Sequence, residues 1–176
     1  MIVYFVRHAS AGQRKNDPVK DEKRALDDSG VEQCSLVGRS LAAMDAHVDA
    51  VVSSPLKRAS QTASLVANEL GHEGRLILDD ALRPEATFAQ FRELLGRHER
   101  AEAIMVVGHN PNLSEFLGRL LGGASAESAF DLKKGAVAKV EADRRGALLH
   151  WVLTPKLARA VQESLASASR PKKKTK

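Results

Sequence analysis

The sequence predicts an α/β fold, a three-layer α/β/α sandwich whose central sheet is mostly parallel and carries helices on both faces. Three observations predict it. Short apolar runs rich in β-branched residues, at residues 1–6, 49–52 and 103–108, are continuous rather than alternating, as strands buried on both faces are. Longer segments between them place apolar residues at every third or fourth position, the helical period. Each of the three runs stops abruptly at a polar piece, and the carboxyl ends of the strands are where an open α/β sheet builds its binding crevice.

Residues 1–6 end at Arg7, which makes the run shorter than a signal-peptide core of about 7 to 15 residues. No other run approaches the roughly 18 residues of a membrane span, so the chain is expected to be cytoplasmic, without a membrane partner. Residues 29–44 set Val31, Cys34, Val37, Leu41 and Met44 at helical spacing, and residues 58–70 do the same with Ala59, Thr62, Leu65, Val66 and Leu70. Residues 76–78 form a weaker strand and residues 88–97 a helix. A further helix over 112–121 meets Gly122-Gly123, a pair suited to a left-handed cap. Residues 137–141 and 147–153 flank Asp143-Arg144-Arg145-Gly146 and read as two strands joined by a tight turn, followed by a helix from about Lys156.

At 176 residues, 43% of them hydrophobic, the chain fits one domain of about 100 to 200 residues. That domain is expected to span residues 1–160, with the end of a helix and a disordered basic tail in 161–176. The net charge of +5 raises the question of nucleic acid, but from Pro155 onward there are seven Lys or Arg against one Glu, leaving about −1 for the rest. Aromatic residues are 4% of the chain and absent from the basic tail, so the stacking partners of a single-strand binder are missing and no specific nucleic-acid partner is expected. Cys34 is the only cysteine and has no His or Cys beside it in the sequence, which suits a buried, inert thiol.

The chemistry lies in the three polar pieces: Arg7-His8-Ala9-Ser10-Ala11, Ser53-Ser54-Pro55-Leu56-Lys57-Arg58-Ala59 and Gly108-His109-Asn110-Pro111. Pro55 and Pro111 suit the first turn of a helix, with Ser54 and Asn110 as N-caps. Two histidines, two arginines and backbone donors would then converge, with no Asp or Glu inside these pieces to cage a metal. This is an anion pocket for which no metal and no cofactor are expected. Arginine forks match phosphate oxygens, and phosphoryl transfer is catalysed mainly by positioning and by neutralising charge on those oxygens. A neutral histidine can attack through one ring nitrogen while a backbone acceptor holds the other.

The order and spacing of Arg7-His8, then Ser54-Pro55-Leu56-Lys57-Arg58-Ala59-Ser60-Gln61-Thr62-Ala63, then Gly108-His109 resemble the histidine phosphatase superfamily, the phosphoglycerate mutase-like group. The resemblance implies that His8 becomes phosphorylated, that Arg7 and Arg58 hold the phosphoryl oxygens, and that His109 completes the pocket. Arg24-Ala25-Leu26-Asp27-Asp28-Ser29-Gly30 is similar to the segment before the first long helix of SixA-type phosphohistidine phosphatases. On that likeness Arg24 reaches the pocket as a further phosphate contact; the alternative is a surface arginine paired to Asp27 or Asp28. Ser10, which stands where some small relatives carry an acid, and Asn110 are further candidate phosphate contacts.

Residues 82–103 hold one short helix and leave no room for the inserted lid of the larger relatives. Those relatives also place a glutamate after the third strand as general acid, and no residue here matches it clearly; Asp80 and Glu85 are the candidates. A basic alkoxide leaving group gains about 10²- to 10⁴-fold from such a donor, whereas imidazole, whose conjugate acid has a pKa near 6.5, departs once protonated. The expected partner is therefore a protein bearing phosphohistidine, with a small phosphorylated metabolite as the alternative and an inactive phosphate-binding module as a third reading. The chain is expected to act as a monomer.

Overall fold

In the computed structural model, which describes residues 1–143 and 145–168, the apolar runs become strands β1 (Ile2–Arg7), β2 (Ala50–Ser53) and β4 (Ala103–Gly108). The weaker run is the two-residue β3 (Ile77–Leu78), and β5 (Val137–Ala142) and β6 (Ala147–Leu153) close the sheet. The strand order is β3-β2-β4-β1-β5-β6. Pairing is parallel from β3 to β1 and antiparallel from β1 to β6, so the sheet is mostly parallel, as expected. Arg144, in the turn after β5, and residues 169–176, expected above to be a disordered tail, lie outside the described residues.

Alternate residues of β1 enter opposite layers. Val3 and Phe5 pack with Phe91 and Leu94 of α4 (Phe88–Arg97) and with Leu113, Phe116 and Leu117 of α5 (Asn112–Gly122). Tyr4 and Val6 pack with Val37 and Leu41 of α2 (Asp28–Ala43) and Val66 of α3 (Lys57–Glu69). Burying one such side chain contributes about 1.5 to 3 kcal/mol, which is why continuous apolar strands specify helices on both faces. The last helix, α6 (Pro155–Ala168), lies against α2 through the buried Ala158 and through Gln162, whose side-chain amide donates to the Leu36 carbonyl at 3.1 Å. Cys34 is buried as expected, and burial raises its thiol pKa to about 11. Among the described residues, no helix is long and apolar enough to cross a membrane.

One α-helix escaped the sequence reading. The short helix α1 (Pro18–Glu22) starts at Asp17, whose carboxylate accepts from the Val19 and Lys20 amides, with Pro18 in its first turn. The Asp17-Pro18 pair is a helix-start signal, but α1 buries none of its residues, so no apolar periodicity marks it.

Candidate active site

Strand register does most of the assembly. Arg7 pairs with Gly108, and Val107 pairs with both Val6 and Ser53. The three polar pieces therefore leave three adjacent strands at one level. The His8 amide donates to the Gly108 carbonyl at 3.0 Å and the Ser54 amide to the Val107 carbonyl at 2.9 Å, which continues the ladder one residue beyond the sheet. His8 and His109 then face each other with ring centroids 5.0 Å apart.

The chain around His8 is held by two helix side chains and one backbone amide. The Ala9 amide donates to Thr62 Oγ1 at 3.1 Å, the Ser10 amide to Gln33 Oε1 at 2.9 Å, and the Gly135 amide to the Arg7 and His8 carbonyls at 3.1 and 3.3 Å. Gly135 has φ +71°, a conformation that favours glycine. At Gly30, a Cβ would stand 2.0 Å from the Ser10 carbonyl oxygen, so α2 approaches this loop only because the residue has no side chain. Of these supports, Thr62 stands inside the second motif and Gly30 ends the segment that opens at Arg24; Gln33 and Gly135 carry no signal in the sequence.

A cavity of about 670 Å³ is lined by Arg7, His8, Arg24, Arg58, His109 and Asn110, among others. His8 Nδ1 donates to the Ala9 carbonyl at 2.8 Å, which leaves Nε2 as the nitrogen with a free lone pair. Burial, then the charges of Arg58, Arg7 and Arg24, lower the His8 pKa to about 4, against the upward pull of that hydrogen bond. His109 Nε2 lies 2.9 Å from Ser54 Oγ. Burial, His8, Arg58 and Arg24 bring its pKa down to about 2. Both rings are neutral near pH 7.

Arg7 Nη1 donates to the Leu132 carbonyl at 2.6 Å and lies 3.8 Å from Asp131. Arg58 Nη1 donates to the Asp21 carbonyl at 3.0 Å and lies 3.4 Å from the Asp21 carboxylate. Arg24 does reach the cavity, but its partner is Asp21 at 2.8 Å and the Ala11 carbonyl at 2.8 Å rather than Asp27 or Asp28. Arg7 Nε, Arg58 Nε and His109 Nδ1 are the buried side-chain nitrogens or oxygens without a partner among the described residues. Buried polar groups are almost always satisfied within a protein. All three belong to motif residues whose side chains line the cavity.

Other expectations need correction. Ser54 and Asn110 are not the helix caps: α3 begins at Lys57 after Leu56, and α5 at Asn112 after Pro111, neither with a side-chain cap. Their side chains serve tertiary contacts instead. Ser54 Oγ partners His109 and accepts from the Leu56 amide. The Asn110 amide donates to the Leu132 carbonyl at 3.1 Å and its oxygen accepts from Ser114 at 2.9 Å. Ser10 does not line the cavity; its hydroxyl donates to Asp27, the residue that also caps α2. Asp80 is exposed, bound to Arg83 and outside the cavity, whereas Glu85 lines it, 3.8 Å from Arg83. Asp21 and Glu22, both on α1, line the cavity as well.

Comparison with known proteins agrees with this geometry. The profile of the histidine phosphatase superfamily (branch 1) matches residues 3–91. An uncharacterized protein of Picosynechococcus sp. is 33% identical over 140 residues, covering 78% of this chain and 82% of that one. Among solved structures, the protein histidine phosphatase SixA, complexed with tungstate, superposes with a TM-score of 0.77 at 22% identity over 89% of this chain and 98% of its own. The alpha-ribazole phosphatase from Shigella flexneri gives 0.72 at 17% identity over 88% and 97%.

Proposed function

The chain belongs to the histidine phosphatase superfamily, and we propose that it hydrolyses phosphohistidine on a protein through a phosphoenzyme formed on His8. The observation that carries the reading is the convergence of Arg7, Arg58 and His109 in one cavity around a histidine whose Nδ1 is already bound. In the first step the His8 Nε2 lone pair forms a bond to phosphorus while the substrate's N–P bond breaks, its electron pair leaving with the protonated imidazole. In the second, water attacks the phosphorus, and His8 departs neutral as inorganic phosphate forms. The arginines neutralise the phosphoryl oxygens, which is the main catalytic need of such a transfer, and no step calls for a metal.

The leaving group bears on the choice of substrate. Of the carboxylates in the cavity, Asp21 is committed to Arg24 and Arg58, which help hold its pKa at about 2, and Glu22 is paired with Arg83 at 2.9 Å. Glu85 is left as the more loosely paired candidate proton donor to an alkoxide, 3.8 Å from the same Arg83. An imidazole leaving group needs no such donor, which favours phosphohistidine. One observation favours a small metabolite instead. Arg14, Lys15 and Lys134 line the mouth of the cavity and form no ion pair among the described residues. They would suit a second anionic group on the substrate.

The test compares kcat/KM on a phosphohistidine-bearing protein with that on a panel of phosphorylated metabolites. A preference of several orders of magnitude for a metabolite removes the protein substrate from consideration. Acid-labile phosphate should appear on the wild type after incubation with phosphoramidate and be absent from His8→Ala. Equal labelling of the two proteins would show that His8 is not the nucleophile.

A further inference from the structure

The Arg58 guanidinium, central to the pocket, is not fixed by its own helix. It is fixed from α1, the short helix that the apolar core does not hold. Asp21 offers Arg58 Nη1 two acceptors at once, its backbone carbonyl at 3.0 Å and its carboxylate at 3.4 Å, while the same carboxylate accepts from Arg24 Nε at 2.8 Å. Its side chain is 14% exposed, against 47% for Asp17 at the start of α1. No residue of α1 is buried, and α1 meets the rest of the cavity wall through a second ion pair, Glu22 with Arg83. From these observations we infer that Asp21 is a positioning residue for phosphoryl transfer, one carboxylate that sets the angle of two phosphate-facing arginines and keeps their like charges at a fixed separation.

The sign of its electrostatic effect distinguishes positioning from simple phosphate binding. The carboxylate is an anion inside an anion pocket, so it opposes the arrival of a phosphate while aligning the groups that act on the transition state. Neutralising it should therefore lower kcat without weakening ground-state binding of an anion. A residue with a merely structural role would lose both together, along with stability.

The inference rests on the proposed phosphatase reading, and the experiment separates the two. With wild type, Asp21→Asn and Asp21→Glu, we would measure His8 labelling by phosphoramidate, steady-state kcat, the inhibition constant of inorganic phosphate and the urea midpoint. Failure of the wild type to be labelled refutes the phosphatase reading itself. Given a labelled wild type, Asp21→Asn should lose about 10- to 100-fold in kcat, the worth of one or two charged hydrogen bonds. Its phosphate inhibition constant should stay unchanged or tighten, and Asp21→Glu should recover part of kcat. A kcat within twofold of wild type overturns the positioning role. So does a weakening of phosphate inhibition in step with kcat and a lowered urea midpoint, which would mark Asp21 as structural.

Discussion

Burying two neutral histidines against arginines should make the fold acid-sensitive in a defined window. In the folded chain His8 titrates at about 4 and His109 at about 2, whereas an unfolded histidine titrates near 6.5. Between those limits the unfolded chain binds more protons, so stability is complete above about pH 6.5 and declines as the pH falls below it. At about pH 5 each histidine is roughly 1.5 pH units below its unfolded pKa, which at about 1.4 kcal/mol per unit is a loss of about 2 kcal/mol each and about 4 kcal/mol for the pair. That is a large share of the roughly 5 to 15 kcal/mol that holds a domain together. Asp21, held at about 2, gives up its contribution only in stronger acid and leaves this window clear. The assay is urea unfolding at about pH 8 and pH 5, for wild type and for the double variant His8→Asn, His109→Asn, which has neither group to titrate. The wild type should lose about 4 kcal/mol more than the variant, a midpoint shift of about 2 M relative to it. Equal losses in the two proteins would mean that the histidines titrate as they do in water and that the site is not desolvated.

The supports of the site give three further expectations. Gly30→Ala places a methyl 2.0 Å from the Ser10 carbonyl oxygen, backbone that cannot step aside, and should cost about 1 to 3 kcal/mol or more in urea unfolding; a neutral result would show that α2 does not press on the loop after His8. Thr62→Val keeps the shape of the side chain but strips the partner from the buried Ala9 amide, so a loss of about 1 to 3 kcal/mol is expected from the same assay. Ser54→Ala removes the hydroxyl beside His109 Nε2 and the acceptor of the Leu56 amide, and should lower kcat about tenfold and cost about 1 to 3 kcal/mol in stability; an unchanged kcat would show that His109 is oriented without it.

The parts of the molecule legible in the sequence were those with a short-range signature. Continuous apolar strands and three-to-four spacing placed six strands and five helices within a few residues, because burial on one or both faces writes itself into periodicity. The four residues Arg7, His8, Arg58 and His109 were legible because each interrupts or directly follows such a pattern. What failed was the direction of polar side chains. Ser10, Ser54, Asn110 and Asp80 are all hydrogen-bonded, but to partners selected by tertiary structure. Asp21 illustrates the limit most clearly. It lies in a polar stretch without periodicity, and its contact with Arg58 joins positions 37 residues apart.

Those long-range contacts also explain why the site is built at the margin of the core rather than within it. Arg7 and Arg58 must be desolvated enough to act strongly on a phosphoryl group, and burial lowers the pKa of both guanidiniums. Each is compensated only in part, Arg7 by the Leu132 carbonyl and a distant Asp131, Arg58 by Asp21, and each keeps a buried Nε without a partner. An unmet buried donor costs about 1 to 3 kcal/mol, so desolvating these arginines is a cost that the rest of the fold offsets. That partial compensation, set by the Leu132 carbonyl, Asp131 and Asp21, leaves two strongly positive guanidiniums beside two histidines at the carboxyl ends of central strands. It is also why the motifs identify the chemistry while the contacts around them determine its strength.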